Sequence, residues 1–216
     1  MRGDIMLTFD AAMAELPLIA VLRGLQPGEA VAIGQALFEA GFRLIEVPLN
    51  SPEPLQSIRL LSEKLGATAL VGAGTVMSVQ AARDVAAAGG RLIVMPHCDT
   101  AIIRAGKDLG AFVAPGIATP TEAFAALAAG ADALKAFPAE MIPPAAVSAM
   151  RAVLPKGTRI LPVGGITPET MAPYHAVGAA GFGLGSALFK PGMTVADVAG
   201  RAAKFVAAWR KLQAAS

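Results

Sequence analysis

Cysteine and histidine are scarce in this chain of 216 residues, which holds one cysteine and two histidines. A single cysteine, Cys98, excludes an intrachain disulfide and fits a reducing compartment, so we expect a cytoplasmic protein. His97 and His175 lack the paired spacing of metal ligands, and no second cysteine accompanies Cys98. We therefore expect no metal.

Charge is also limited, since charged residues make up 16% of the chain and the net charge is +2. So balanced and unclustered a charge does not fit nucleic-acid binding, and we expect no nucleic-acid partner. A dinucleotide fingerprint is missing too, because Gly72-Ala-Gly-Thr75 lacks the third glycine and the later acidic residue. The expectation is a protein without cofactors.

Long apolar runs are missing, although hydrophobic residues make up 55% of the chain and the mean hydropathy is +0.58. No run reaches the ~18 apolar residues of a membrane-spanning helix, and the Met1 to Asp10 segment lacks the core of a signal peptide. We expect no membrane partner. The hydrophobicity instead predicts a sheet that is buried on both faces.

Glycine is abundant and recurs in a pattern. Predicted helices end in a small or aliphatic residue followed by glycine, a usual left-handed helix cap, and a short apolar run comes next. These glycines are Gly41, Gly66, Gly89, Gly110, Gly130 and Gly178. The dipeptides Ser51-Pro52, Thr119-Pro120 and Thr167-Pro168 are predicted to open helices, and Thr119 forms a capping box with Glu122.

Eight apolar runs lie between these signals and predict eight strands. They are Leu18–Arg23, Leu44–Leu49, Ala69–Gly74, Leu92–Pro96, Phe112–Gly116, Ala133–Pro138, Ile160–Gly164 and Phe182–Gly185. With a helix between each pair, the pattern predicts an α/β fold, a (β/α)8 TIM barrel forming a single domain over residues 1–216. An extra N-terminal helix at Phe9–Glu15 precedes it and Val195–Leu212 closes it. A doubly wound open sheet is the alternative.

One predicted strand, Ala133–Pro138, contains a lysine. Alternation places Ala133, Lys135 and Phe137 on one face. A buried ammonium group must pair with an anion or lose its proton, and a lysine with a lowered pKa can form a Schiff base with a carbonyl substrate. The alternative is a lysine whose stem packs while its ammonium group reaches water.

Charges near the ends of the predicted strands are few: Arg23, Glu46 and Lys135. Because active sites of these barrels form at the carboxyl ends of the strands, we expect the three side chains to converge there. The alternative is a buried ion-pair network without chemistry. Arginines at strand starts are expected on the opposite, stabilising end of the barrel; they are Arg43, Arg91 and Arg159.

Two glycine turns follow the last two predicted strands, in Val163-Gly-Gly-Ile-Thr-Pro168 and Gly183-Leu-Gly-Ser186. Phosphate sites in such barrels commonly lie after strands 7 and 8, where backbone N–H groups face the anion. The turns therefore predict a phosphorylated small-molecule substrate.

Five motifs are spread over nearly the whole chain: Glu46-Val-Pro-Leu-Asn-Ser51, Val71-Gly-Ala-Gly-Thr-Val76, Ala114-Pro-Gly-Ile-Ala-Thr119, Leu134-Lys-Ala-Phe-Pro138 and Pro162-Val-Gly-Gly-Ile-Thr-Pro168. Together they resemble the class I 2-keto-3-deoxy-6-phospho-sugar-acid aldolases. The resemblance implies cleavage of a phosphorylated keto-deoxy sugar acid to pyruvate and glyceraldehyde 3-phosphate, and a homotrimer.

The resemblance also implies roles for individual residues. Lys135 would form the Schiff base and Glu46 would be the general acid/base. The implied substrate contacts are Arg23 and Thr75 for the carboxylate, Pro96 and Phe137 for the pocket wall, and Gly164, Gly165, Gly185 and Ser186 for the phosphate.

Two sister activities of this family act on substrates that are epimeric at C4. Asn50 stands where the phosphogluconate type usually has arginine, and Val163 where it usually has threonine. These two positions and Leu22-Arg-Gly24 resemble the 6-phosphogalactonate type, so Val163 joins the expected substrate contacts.

Two other interpretations stay open. A barrel that senses a phosphosugar without catalysis would need the glycines but not Lys135. An isomerase barrel would need an acid/base pair and no lysine nucleophile. Within the aldolase interpretation, Glu46 would raise the pKa of Lys135 while burial and Arg23 would lower it, and the sequence does not decide the balance.

Overall fold

In the computed structural model, which describes residues 7–215, strands alternate with helices. The strands are Leu18–Val21 (β1), Leu44–Pro48 (β2), Leu70–Gly74 (β3), Leu92–Val94 (β4), Phe112–Ala114 (β5), Gly116–Ile117 (β6), Leu134–Ala136 (β7), Ile160–Pro162 (β8) and Phe182–Leu184 (β9). The helices are Phe9–Glu15 (α1), Pro27–Glu39 (α2), Pro54–Leu65 (α3), Val79–Ala87 (α4), Thr100–Asp108 (α5), Pro120–Ala128 (α6), Pro144–Val153 (α7), Met171–Ala176 (α8) and Val195–Ala214 (α9). Most of the Met1 to Asp10 segment, which is not expected to be a signal peptide, lies outside the described residues.

All paired strands are parallel, which confirms the predicted α/β class. Six strands form a curled sheet in the order β5-β4-β3-β2-β1-β9, and three form a second sheet in the order β6-β7-β8. A single parallel bridge between Val163 and Gly183 links β8 to β9. At the other junction, β5 and β6 follow each other with only Pro115 between them.

The prediction of one strand over Phe112–Gly116 is wrong, because the segment forms two strands that pair in different sheets. Proline has no N–H to donate to a ladder, so Pro115 interrupts the pairing. Its carbonyl still accepts a hydrogen bond of 2.8 Å from the N–H of Lys135. Other strands are shorter than predicted at the carboxyl end, so Arg23, Phe137 and Gly164 lie just beyond strands.

The predicted helix ends are partly confirmed. Thr119 forms the capping box with Glu122, and five of the six glycines have positive φ. Gly66 does not: its φ is −61°, and a Cβ there would overlap the carbonyl of Ser62, so close packing explains the glycine.

Two predicted helix starts are wrong. Ser51 caps no helix, because its hydroxyl accepts from the N–H of Gly24 at 2.9 Å, and α3 begins only at Pro54. Thr167 precedes a turn, and α8 begins after Thr170. Ser51-Pro52 and Thr167-Pro168 thus lie in loops before the helices and do not open them.

The core has two layers. Between helices and sheets lies a large apolar layer, and a smaller cluster fills the inner face of the strands. Helix α1 contributes to the inner cluster, where the ring of Phe9 stacks on Phe112 at 5.4 Å. Leu44 and Ala133 also belong to this cluster. Since side chains alternate along a strand, Glu46 and Lys135 lie next along the same inner face.

None of the helices within residues 7–215 is both long enough and apolar enough to span a membrane.

Candidate active site

Lys135 lies in the middle of β7 and is 6% exposed. Its main-chain N–H donates to the carbonyl of Pro115, the residue between β5 and β6, and this hydrogen bond fixes the strand register. Its ammonium nitrogen stands 4.5 Å from the centre of the Phe137 ring. No carboxylate oxygen within residues 7–215 comes within 4.0 Å of this nitrogen. The buried amine is therefore held without a direct ion pair.

Glu46 lies on β2 and is 1% exposed. Its carboxylate rests against Gly74 of β3, where a Cβ would overlap it, so glycine at that position makes room for the acid. The Oε2 atom is buried and accepts no hydrogen bond from the described part of the chain. An unsatisfied buried carboxylate oxygen is rare in native proteins and calls for an explanation.

Glu46 and Lys135 line the same small cavity on the inner face of the strands. Burial raises the pKa of Glu46 to about 7, and the positive charges of Lys135 and Arg23 only partly oppose this. Burial likewise lowers the pKa of Lys135; Glu46 acts against that shift and Arg23 adds to it. For both groups desolvation is the largest effect on the pKa. For Lys135, the lowering by burial and Arg23 therefore outweighs the raising by Glu46, a balance that the sequence did not decide.

Above these two residues opens a cavity of about 570 Å³, and Lys135 forms part of its floor. Eight of the residues predicted for the site line it, namely Arg23, Lys135, Phe137, Val163, Gly164, Gly165, Gly185 and Ser186. They come from the carboxyl ends of β1, β7, β8 and β9. The strand ends therefore bring most of the predicted residues to one place.

Three predicted residues do not line this large cavity. Glu46 faces the small inner cavity instead. Thr75 and Pro96 follow β3 and β4 at the same end of the sheet. Thr75 has a φ of +56°, a left-handed backbone that is an outlier for a β-branched residue, and such strain of ~1–3 kcal/mol clusters at functional sites.

Arg23 and Asn50, from the ends of β1 and β2, contact each other directly. The guanidinium of Arg23 donates from Nη1 to Oδ1 of Asn50 at 2.7 Å. Both side chains are exposed. The sequence pointed to the two positions separately; the contact depends on the loops after the strands and was not predicted.

The turn after β8 depends on glycine at two positions. Gly164 and Gly165 have φ of +114° and +59°, which favours glycine. A Cβ at Gly164 would also overlap the Glu140 carboxylate. Val163, 8% exposed, packs its methyl groups against Gly183 of β9 at the cavity wall.

Three charged residues that line the cavity were not predicted from the sequence: Glu140, Lys190 and Arg201. Glu140 follows Phe137-Pro138 in a short 3₁₀ helix, and Arg201 is on α9. No local pattern marks them, since each reaches the cavity only through the packing of its segment.

The two histidines and the cysteine line neither of these cavities. Cys98 donates from Sγ to the carbonyl of Glu122 at 3.4 Å, and burial raises its thiol pKa, so it is not a reactive thiolate. The His175 ring packs edge-on against Trp209 at 5.3 Å. Tyr174 and Trp209 are buried on α8 and α9 and pack in the large apolar layer.

Comparison with known proteins agrees with this geometry. Residues 9–201 match the family of KDPG and KHG aldolases. A Rhizobium meliloti protein named probable 2-dehydro-3-deoxy-6-phosphogalactonate aldolase is 48% identical, over 90% of this chain and 92% of that protein. A Treponema pallidum 2-dehydro-3-deoxy-phosphogluconate aldolase is 31% identical, over 79% and 81%.

A solved structure described as native KDPGal superposes with a TM-score of 0.91 and 46% identity, covering 93% of this chain and 97% of that one. The matched family and its named relatives are aldolases, which are lyases, and this defines the class of the chain. Within that class, the chain belongs to the KDPG and KHG aldolase family.

Proposed function

We propose that this protein is a Schiff-base aldolase that cleaves 2-dehydro-3-deoxy-6-phosphogalactonate to pyruvate and D-glyceraldehyde 3-phosphate. The observation that carries the proposal is Lys135, a buried amine without an ion pair and with a lowered pKa, on the floor of a cavity rimmed by two glycine turns. A lysine in this state is a ready nucleophile for a carbonyl carbon.

In this mechanism, the neutral amine of Lys135 adds to the C2 carbonyl, and loss of water gives a protonated imine. The imine accepts the electron pair of the C3–C4 bond as it breaks, while the C4 hydroxyl gives up its proton and becomes the aldehyde. The resulting enamine takes a proton at C3, and hydrolysis releases pyruvate and restores the amine.

Glu46 is the group that would accept and return these protons, directly or through water. A general acid/base works best with a pKa near the operating pH, and burial raises the pKa of Glu46 to about 7. Its unsatisfied Oε2 is then explained as an acceptor reserved for substrate or water. Glu46 and Lys135 share a cavity wall, which supports their joint action.

The substrate would lie with its two anionic ends apart. Arg23 and Thr75 would hold the carboxylate, and the turns carrying Gly164, Gly165 and Ser186 would hold the phosphate. Gly185 would extend the second turn, and Pro96 and Phe137 would form the walls around the reacting carbons.

The choice of the galactonate epimer rests on Asn50 and Val163 and on the relatives. Identity is 48% to a galactonate-type relative against 31% to a gluconate-type one. Assaying both C4 epimers by pyruvate release tests the choice. A higher kcat/KM for the galactonate epimer is expected; a preference for the gluconate epimer would contradict the substrate while leaving the aldolase proposal intact.

We also propose that the two sheets are parts of one closed (β/α)8 barrel, a single domain over residues 1–216. The bridge between Val163 and Gly183 and the adjacency of β5 and β6 across Pro115 support closure. A cytoplasmic location and a homotrimer rest on the cysteine content and the family resemblance. Light scattering on the purified protein tests the trimer.

A further inference from the structure

The turn after β9 receives two hydrogen bonds that the mechanism above does not use. Arg201, on α9, donates from Nη1 to the carbonyl oxygens of Ser186 and Ala187, each at 3.2 Å. The same side chain lines the large cavity. One guanidinium therefore contacts both the backbone of the turn and the space that the turn faces.

This segment is a single helical turn that does not continue. The N–H groups of Leu188 and Phe189 donate to the carbonyl of Gly185 at 2.8 and 3.0 Å. The carbonyls of Ser186 and Ala187 have no following helical N–H to accept from, as at any helix C-terminus. Arg201 supplies the missing donors and places a positive charge at the carboxyl end of the turn.

Holding these carbonyls fixes the opposite side of the turn. In a planar peptide unit the N–H points away from the C=O, so the Ser186 carbonyl sets the direction of the Ala187 N–H. Within residues 7–215, the N–H groups of Ser186 and Ala187 donate no hydrogen bond. Both residues line the cavity.

A phosphate in this cavity would need fixed donors, because a carboxylate stands nearby. Glu140 lines the same cavity and its side chain contacts Gly164 and Gly165 of the other turn. Preorganised N–H groups bind an anion without first being reoriented, and so they offset the repulsion better than mobile donors do.

We propose that Arg201 is a positioning residue for the phosphate end of the substrate: by holding the Ser186 and Ala187 carbonyls, it orients the turn that binds the phosphate. The inference rests on the proposed function and deepens it. It also sets Arg201 apart from Lys190, a cation that lines the same cavity and has no hydrogen bond from its ammonium group to this turn.

The test is a calorimetric titration of the protein with inorganic phosphate, which requires no aldolase activity. Arg201→Met and Arg201→Gln are expected to weaken phosphate binding roughly tenfold, the size of one hydrogen bond to a charged group. Arg201→Lys, which keeps the charge and a donor, should remain within about threefold of wild type. Arg210→Met on the same helix, which lines a different cavity, should leave binding unchanged.

Lys190→Met separates orientation from charge alone. We expect it to weaken phosphate binding by less than about threefold, since an exposed charge contributes little. Equal losses in Lys190→Met and Arg201→Met would overturn the proposal, because Arg201 would then act only as one more charge. Binding in both Arg201→Met and Arg201→Gln within about twofold of wild type would overturn it as well.

Two further readouts separate this inference from the proposed function. With the phosphorylated substrate, Arg201→Met should raise KM about tenfold with kcat nearly unchanged, as for a lost binding contact. Trapping of pyruvate by borohydride should persist in all Arg201 variants, which also shows that they fold. If wild type binds phosphate but traps no pyruvate, the aldolase proposal fails and the inference on Arg201 stands.

Discussion

Charged residues at the amino ends of the strands have hydrogen-bond or ion-pair partners, whereas Lys135 and Glu46 lack ion-pair partners within residues 7–215. At the amino ends, Arg43 pairs with Glu15 at 2.6 Å and Arg159 pairs with Asp10 at 2.8 Å. Arg91 donates to the carbonyl of Gly66 at 2.9 Å. At the carboxyl ends, Lys135 has no ion pair in the described part of the chain and Glu46 keeps a buried oxygen without a partner.

This difference separates charges that support the fold from charges kept for chemistry. A paired arginine at the rim leaves no group to react. Burial raises the pKa of the unpaired acid Glu46 and lowers the pKa of the unpaired amine Lys135, so that both neutral forms are favoured. Keeping such groups buried costs stability. The contrast makes predictions about each end.

The largest effect is expected from Lys135→Met, which removes the nucleophile. Loss of a catalytic nucleophile lowers kcat by ~10⁴-fold or more, and the apolar replacement should fold normally in its apolar strand. Steady-state pyruvate release measures the rate, and thermal unfolding provides the control. Activity in this variant would show that another residue is the nucleophile.

Glu46→Gln comes next and removes the acid/base group while keeping the shape. Turnover should fall by ~10²–10⁴ while the imine still forms. The measurement is the steady-state rate beside borohydride trapping of the same sample. Retention of more than about a third of the wild-type rate, far above that range, would make the carboxylate structural.

The same variant also tests the stability cost at the carboxyl ends. The pKa of Glu46 is about 7 in the folded protein and 4.5 ordinarily, so between these values the folded state binds more protons than the unfolded state. Wild-type stability should therefore fall as pH rises from 4.5 to 7, and this loss is complete above pH 7. Glutamine does not titrate.

Relative to wild type, Glu46→Gln should thus gain about 3 kcal/mol in unfolding free energy across that interval. Urea denaturation of both proteins at several pH values gives this difference directly. A difference that does not change with pH would contradict the raised pKa of Glu46.

A smaller effect is expected from Val163→Thr. Threonine keeps the shape against Gly183 and adds a hydroxyl at the cavity wall. An epimer whose C4 hydroxyl faces this position gains a partner, so the kcat/KM ratio should move roughly tenfold toward the gluconate epimer. An unchanged ratio, measured with both epimers, would place the discrimination elsewhere.

The smallest effect is expected at the amino ends. Arg159 and Asp10 are 35% and 79% exposed, and exposed ion pairs contribute ~0.2–1 kcal/mol. Arg159→Gln should therefore lower stability by no more than about 1 kcal/mol and leave turnover unchanged. A loss of activity here would contradict the division between the two ends.

Sequence reasoning located Lys135 and Glu46 because alternation along a strand and the scarcity of charge single them out. It also found the two glycine turns, and in the first of them the φ values of Gly164 and Gly165 favour glycine. It placed Ser51 wrongly at a helix start, since the competing N–H of Gly24 comes from another strand–helix unit.

Arg201 and the contact between Arg23 and Asn50 could not be predicted from local pattern. Each depends on how a helix or a loop packs against a distant strand end. Strand lengths were overestimated for a related reason: apolar residues continue past the point where the neighbouring strand stops offering hydrogen bonds, as at Phe137 beyond β7.

The most direct test of the central claim is reductive trapping. The wild-type protein is incubated with pyruvate and borohydride, and intact mass spectrometry and peptide mapping follow. We predict one pyruvate adduct per chain, located on Lys135, present in Glu46→Gln and absent in Lys135→Met. An unmodified wild-type chain, or an adduct on another lysine, would contradict the assignment of Lys135 as the nucleophile.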